Sequence, residues 1–359
     1  MSDPDRPGRA ASGSARCAQR GVSIIELMVG LVVAMLVSLA AAGSAVVFTA
    51  SQRQGMAIGG VGVNTATTLA GIKNDIAQAG LGFFGDSTYL CDRLALSVGA
   101  AVLVDGAPFT PVALTAEAAG DRIDIVYAER IESGANVLLR TSSNGAGAQT
   151  LSLLPAAVDQ AVLLAPATPG TPCLVRTVTA VTASTETTPQ VLDFGAGGEY
   201  NDGVFSAAPA FAERDRVALL GDLQWNRYRR TGNTLVLERP LLPGAPAVVL
   251  ARNVIGLRAQ YGLAAAGGTT LEAWQSPAGA FAALAAADLP RVRALRIGLV
   301  ARSPQRQKPD AGGVCDASLA KPQLFGAVVE PDVPDWQCYR YRTTVVVVPL
   351  RNLVLGLSS

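Results

Sequence analysis

The chain contains no histidine. That removes Ser-His-Asp and Cys-His nucleophilic catalysis and most zinc sites in one step, because each needs an imidazole as base or ligand. No glycine loop ending in Lys-Ser or Lys-Thr is present to cradle a nucleotide phosphate. Gly59-Gly60-Val61-Gly62 has no strand signal before it and reads as helix-packing glycine. Charged residues are scarce at 16% and aromatics at 5%, and the two signs nearly cancel to a formal net charge of +1. With no basic run or aromatic-rich basic stripe, nucleic acid is not expected as a direct ligand. No catalytic group, metal or cofactor is expected, and the chain does not read as an enzyme.

Apolar sequence, at 50% hydrophobic residues, is what the chain has in abundance. Over residues 22–50 the only charged side chain is Glu26. As a helix rising about 1.5 Å per residue this stretch is about 43 Å long, more than a bilayer core of about 30 Å requires. Arg6, Arg9, Arg16 and Arg20 precede it and only Arg53 follows closely. That bias places the N-terminus in the cytoplasm and the bulk of the chain beyond the inner membrane. A secretory signal with Ala40-Ala41-Ala42 as its cut site would have a shorter apolar region and no glutamate in it. A plain anchor accounts for the length but for neither Glu26 nor the glycine before the span. A charge inside the bilayer costs about 2.5–3.5 kcal/mol even on lenient scales, so Glu26 calls for a partner.

The segment Arg20-Gly21-Val22-Ser23-Ile24-Ile25-Glu26-Leu27-Met28-Val29-Gly30 resembles the processing and assembly signal of type IV prepilins. The resemblance implies that prepilin peptidase cuts after Gly21. Val22, where most of the family has phenylalanine, becomes the N-methylated terminus. Glu26 is then the fifth mature residue and meets the terminal amine of a neighbouring subunit. An amine and a carboxylate in a low-dielectric setting are each costly alone and attract strongly, which would drive staggered packing.

Past the span, Ile58, Val61, Thr65, Thr68, Ile72, Ile76 and Ala79 recur at three- and four-residue steps and predict one helix face packed on a sheet. Lys73, Asn74 and Asp75 fall elsewhere on the wheel. Gly55, Gly59, Gly60, Gly62 and Gly71 weaken this helix, and Gly80-Leu81-Gly82 ends it. From Asp121 the texture is that of strands: 121–127, 173–183, a hairpin of 216–230 and 234–239 turning at Thr231-Gly232-Asn233, then 254–261, 291–301 and 339–350. The alanine-rich 277–287 reads as a short helix, and 195–202 and 304–313 as exposed, mobile loops.

Four body segments resemble PilW-type minor pilins: Leu223-Gln224-Trp225-Asn226-Arg227-Tyr228-Arg229, Gly256-Leu257-Arg258-Ala259-Gln260-Tyr261-Gly262, 292–303, and Tyr339-Arg340-Tyr341-Arg342 with Pro349-Leu350-Arg351-Asn352. Gly43 stands where many major pilins have a mid-span proline, which fits a minor subunit or pseudopilin. The fold class implied is α+β: a long N-terminal transmembrane and amphipathic helix, then an enlarged, mainly antiparallel β-sheet head. The expected parts are a removed leader, 1–21, a helix over 22–80 with its transmembrane half at 22–50, and a periplasmic head, 81–359. The implied partners are other minor pilins, the major pilin, prepilin peptidase and the inner membrane, in a complex that primes assembly or sits at the pilus tip. A J-like pseudopilin of type II secretion is the neighbouring alternative, and a membrane-tethered periplasmic binding domain a more distant one.

Cys17 lies in the leader, leaving Cys91, Cys173, Cys315 and Cys338. An even number in an oxidising compartment predicts disulfides. Of three pairings, Cys91–Cys173 and Cys315–Cys338 join nearest neighbours in sequence; free buried thiols are the other reading. Glu330, Asp332 and Asp335, with Asp310 and Asp316 upstream, offer hard oxygen ligands of the kind calcium takes. Their spacing matches no EF-hand, and a solvated acidic loop is the simpler reading. Trp225, Tyr228, Trp336 and Tyr339 are read as core residues before partner contacts.

Overall fold

The structure, a computed structural model, describes residues 24–85, 88–130, 132–310 and 312–356. The leader with Cys17, the expected cut at Gly21 and the new terminus Val22 lie outside the described residues, as do the side chains of Ile58 and Val61. A helix of 55 residues, α1 (Ile24–Gln78), opens the described chain. The chain divides into two compact units, Met1–Met56 and Ala57–Ser359.

In the first unit, Ile24–Ser44 is long and apolar enough to cross a membrane, with mean hydropathy 2.5 and no buried residue. Its two serines hide their donors: Ser38 Oγ donates to Ala34 O at 2.8 Å and Ser44 Oγ to Ala40 O at 2.9 Å. Such back-bonding removes the unsatisfied hydroxyls that hydrocarbon would penalise.

The second unit begins with the end of α1 and is otherwise built of strands. A small hairpin pairs β1 (Phe84–Gly85) with β2 (Thr88–Tyr89). A six-stranded sheet runs β4 (Ala101–Pro108), β3 (Arg93–Val98), β10 (Cys173–Thr177), β9 (Ala161–Ala165), β13 (Arg216–Gly221), β7 (Asn136–Leu138). Beside it in sequence is a three-stranded sheet of β11 (Ala180–Thr182), β12 (Gln190–Asp193) and β8 (Gly147–Thr150). A five-stranded sheet follows the order β16 (Val248–Arg252), β15 (Thr234–Glu238), β14 (Leu223–Thr231), β6 (Arg122–Ala128), β5 (Val112–Thr115). A four-stranded sheet is ordered β18 (Leu271–Gln275), β17 (Val254–Ala264), β19 (Val292–Arg302), β22 (Tyr341–Pro349). The hairpin β20 (Gln323–Leu324) and β21 (Ala327–Val328) and a closing helix α2 (Arg351–Gly356) complete it. Every described pairing is antiparallel except β3 with β10, so the organisation is α+β with mainly antiparallel sheets.

The cores follow from strand alternation. One face of the six-stranded sheet buries Leu94, Leu96, Leu163, Val175, Ala218 and Leu220. The other buries Ala95, Val162, Leu164, Leu174, Val217 and Leu219. A third core joins the five- and four-stranded sheets to the end of α1 and to α2, through Leu69, Ile72 and Ile76, Ile123 and Ile125, Leu295 and Ile297, and Leu353.

Several sequence expectations need correction. The run 216–230 is two strands in different sheets: at Gly221, with φ +69°, the chain leaves the six-stranded sheet and enters the five-stranded one. The run 173–183 likewise splits between β10 and β11. The expected helix at 277–287 is only 3-10 turns, Gly279–Phe281 and Ala286–Arg291. Alanines there present no apolar stripe, and Pro290 interrupts the ladder. The loop 195–202 is pinned rather than loose: Tyr200 is buried, and Asn201 Nδ2 donates to Thr177 O at 2.9 Å and Gly195 O at 2.8 Å. Strands also begin well before Asp121, at β1–β5.

Candidate assembly site

Each unit carries its own candidate feature. In the first, Glu26 sits in the first described turn of α1, exposed among exposed Ile24, Ile25, Leu27 and Met28. A carboxylate near a helix N-terminus is favoured by the helix dipole. Nothing else charged lies within Ile24–Ser44.

In the second, α1 is locked onto the head. Thr65, Thr68, Leu69, Ile72, Ile76 and Ala79 are all buried, which is the face that the three- and four-residue steps outline. Thr68 Oγ1 donates to Leu250 O at 3.2 Å, on the outer strand of the five-stranded sheet. Asp75 lies at the border of this stripe and receives three donors. Tyr127 Oη donates to its Oδ1 at 3.1 Å, Asn226 Nδ2 to its Oδ2 at 2.5 Å, and Tyr228 Oη also to Oδ2. Burial first, and then the Asp75 charge beside them, push both phenols well above the ordinary tyrosine value. Buried Asn226 Oδ1 has no hydrogen-bond partner among the described residues.

The helical wheel places Asp75 off the apolar face and gives it no partner. The signal it passed over lies on the sheet. Tyr127 shares a face with Ile123 and Ile125, and the register opposes Asn226 to Ile125 and Tyr228 to Ile123. Three polar tips on one apolar sheet face require a polar partner.

The end of α1 is capped from the far end of the chain. Asn352 Nδ2 donates to Gln78 O at 3.0 Å, with Ala79 O at 3.4 Å and Ala77 O at 3.5 Å. These are the orphan carbonyls of a helix C-terminus. Gly80, at φ +79°, turns the chain out, and its N–H donates to Val126 O at 2.9 Å.

The four cysteines are joined as Cys91–Cys173, with Cα atoms 5.7 Å apart, and Cys315–Cys338, at 4.8 Å. The acidic loop is ion-paired rather than freely solvated. Arg302 holds Asp332 at 2.7 Å, Lys321 holds Glu330 at 2.7 Å and Arg306 holds Asp335 at 2.5 Å. The hydrogen bond from Arg306 draws the Asp335 carboxyl below its ordinary range. Asp316 accepts from Gln307, and Asp310 accepts the N–H groups of Gly312 and Val314. Of the four singled-out aromatics, Tyr228 is buried. Trp225 is half-buried and donates to Asp124 at 2.9 Å, Tyr339 lies under the Arg302 guanidinium, and Trp336 is half-buried.

Residues 227–352 match the family model of type IV pilus-assembly protein W. No curated protein matches the chain. Among solved structures it is similar to a type IV-like pilin from Thermus thermophilus, at 13% identity and a TM-score of 0.35, over 81% of this chain and 96% of that one. The family match takes in the end of β14, all of β15 to β22 and Asn352. The later sheets of this chain are thus similar to a type IV pilus-assembly family.

Proposed function

We propose, from the similarity of its later sheets to that family, that the protein is a PilW-type minor pilin that joins other minor pilins in an inner-membrane priming or pilus-tip complex. Prepilin peptidase cuts between Gly21 and Val22, and the apolar half of α1 holds the subunit in the inner membrane, N-terminus inward and head periplasmic. Glu26 then takes the terminal amine of an adjoining subunit, and the head selects partners. The role is structural, without catalysis. The observation that carries the reading is Glu26, a lone carboxylate in an exposed apolar helix, on a chain whose later sheets match a pilus-assembly family.

Deletion of the gene, scored by surface pili and twitching, tests it. Loss of both is expected; normal pili overturn the priming role. Normal pili with a secretion defect would assign the chain to the J-like pseudopilins instead. Gly21 replaced by a bulky residue should accumulate the uncleaved precursor on a gel, and normal processing would refute that cut.

A further inference from the structure

Sheet edges are where strands recruit other strands, and proteins blunt the edges they do not use. This head blunts almost all of its own. In the six-stranded sheet, β7 has three residues, and β4 shifts register twice against β3 and carries Asp105. In the three-stranded sheet, β11 has three residues, and β8 has its outer side engaged by Arg140 N–H on Gln149 O at 2.8 Å. In the five-stranded sheet, β16 is bulged and covered by Thr68 of α1, while β5 has four residues and gives its Leu114 N–H to the Tyr261 hydroxyl at 2.6 Å. In the four-stranded sheet, β18 carries Glu272 and a register shift.

The opposite edge of that last sheet is different. All nine residues of β22 pair with β19 in unbroken register, from Ala294 with Pro349 to Arg302 with Tyr341. Among the described residues no backbone hydrogen bond reaches the other side of β22. Between Arg342 and Arg351 there is no charge, and the run Thr343-Thr344-Val345-Val346-Val347-Val348 is entirely β-branched. Val346 and Val348 turn to the core, while Val345 and Val347 stand 48% and 49% exposed. A long valine edge in unbroken register, free of charge from Thr343 to Leu350, is a template for strand addition, in which backbone bonds give affinity and alternate side chains give selectivity.

We infer that the outer edge of β22 is the surface where the head takes up an uncharged, β-branched edge strand from another pilus subunit. The inference rests on the minor-pilin reading above. Two observations choose the occupant. The edge lies wholly within the stretch that matches the pilus-assembly family, whereas the six- and three-stranded sheets lie outside it. A charged strand would meet no counter-charge between Thr343 and Leu350, so the complement must itself be apolar.

The test places a photo-crosslinking residue at Thr343 or Val345 of the full-length chain in piliated cells, with Glu272 as the control position. Alongside it run Val345→Lys and Val347→Lys, both at exposed sites that leave the core untouched. The expected result is a crosslink from β22, and not from Glu272, to an uncharged strand of an identified pilus subunit. The lysine variants should lose pili by about tenfold or more at unchanged chain abundance and head protease resistance, since each sets an unpaired charge against apolar side chains. No such crosslink and full piliation of the variants, in cells where gene deletion abolishes pili, would overturn the edge while leaving the minor-pilin reading standing. Crosslinks between two copies of this chain would overturn the second-subunit occupant and make β22 a self-pairing edge. Normal pili on deletion would remove the reading beneath it.

Discussion

Glu26 and Asp75 are two carboxylates on one helix with opposite surroundings, one exposed among apolar side chains and one inside a ring of donors. Glu26→Ala removes a charge worth about 2.5–3.5 kcal/mol of insertion penalty, so membrane insertion and leader cleavage should survive. Incorporation should fall, because the neighbour's amine loses its partner; equal recovery of variant and wild type in sheared pili would count against the docking role. Asp75→Ala strands two phenols and an amide in a part-buried site and should cost about 1–3 kcal/mol in urea unfolding. The tyrosines add a pH signature. Their folded values lie above the ordinary value of about 10, so folding favours the neutral phenol. The stability this contributes is complete below about pH 10 and is lost as pH rises beyond it. Thermal midpoints should therefore drop more steeply above pH 10 in the wild type than in a Tyr127→Phe, Tyr228→Phe double variant; parallel slopes would refute the assignment.

Among the elements, the docked end of α1 and the β14–β15 hairpin were legible because each follows a local rule. The spacing from Thr65 to Ala79 marks one helix face, and Gly232-Asn233 between Thr231 and Thr234 is a two-residue turn. Strands β3 and β9 were hard to read for a physical reason. Both faces of their sheet are buried, so Ala161-Val162-Leu163-Leu164-Ala165 has no polar alternation to reveal a strand. Asp75 was missed because its partners lie on strands distant in sequence. The docking itself rests on apolar burial plus the cap from Asn352. Ile72→Ala or Ile76→Ala, each at a fully buried side chain, should cost about 2–5 kcal/mol. Asn352→Ala should cost about 1–2 kcal/mol, since one amide serves the helix's last carbonyls. Hydrogen exchange should show the last turns of α1 opening first in the Asn352 variant; uniform protection would mean that water replaces the cap without cost.

At the scale of the whole molecule, the two disulfides close loops of very different length: 82 residues separate Cys91 from Cys173, and 23 separate Cys315 from Cys338. The long one sits beside the only parallel pairing described, where Cys173 is opposite Leu94. Parallel neighbours far apart in sequence must close a long loop before any contact offsets the entropy. The short one staples the excursion between β19 and β22, which has little regular structure and is otherwise tied by Leu324 and Val329, buried with Ile255 and Val300, and by the ion pairs of Arg302, Arg306 and Lys321. In the chain-entropy account, loss of the short loop should cost about 3 kcal/mol and loss of the long one about 4–5 kcal/mol. The site of damage should differ as well. A Cys315→Ala, Cys338→Ala variant should be nicked by protease within 304–337 while the four-stranded sheet persists, because Leu295, Ile297 and Leu299 are buried against the shared core rather than under that excursion. A Cys91→Ala, Cys173→Ala variant should instead unfold the six-stranded sheet, since both sulfurs lie in its core. Urea midpoints and limited proteolysis on the two variants separate the cases, and an equal loss from both would mean that loop length does not set the contribution of either bridge.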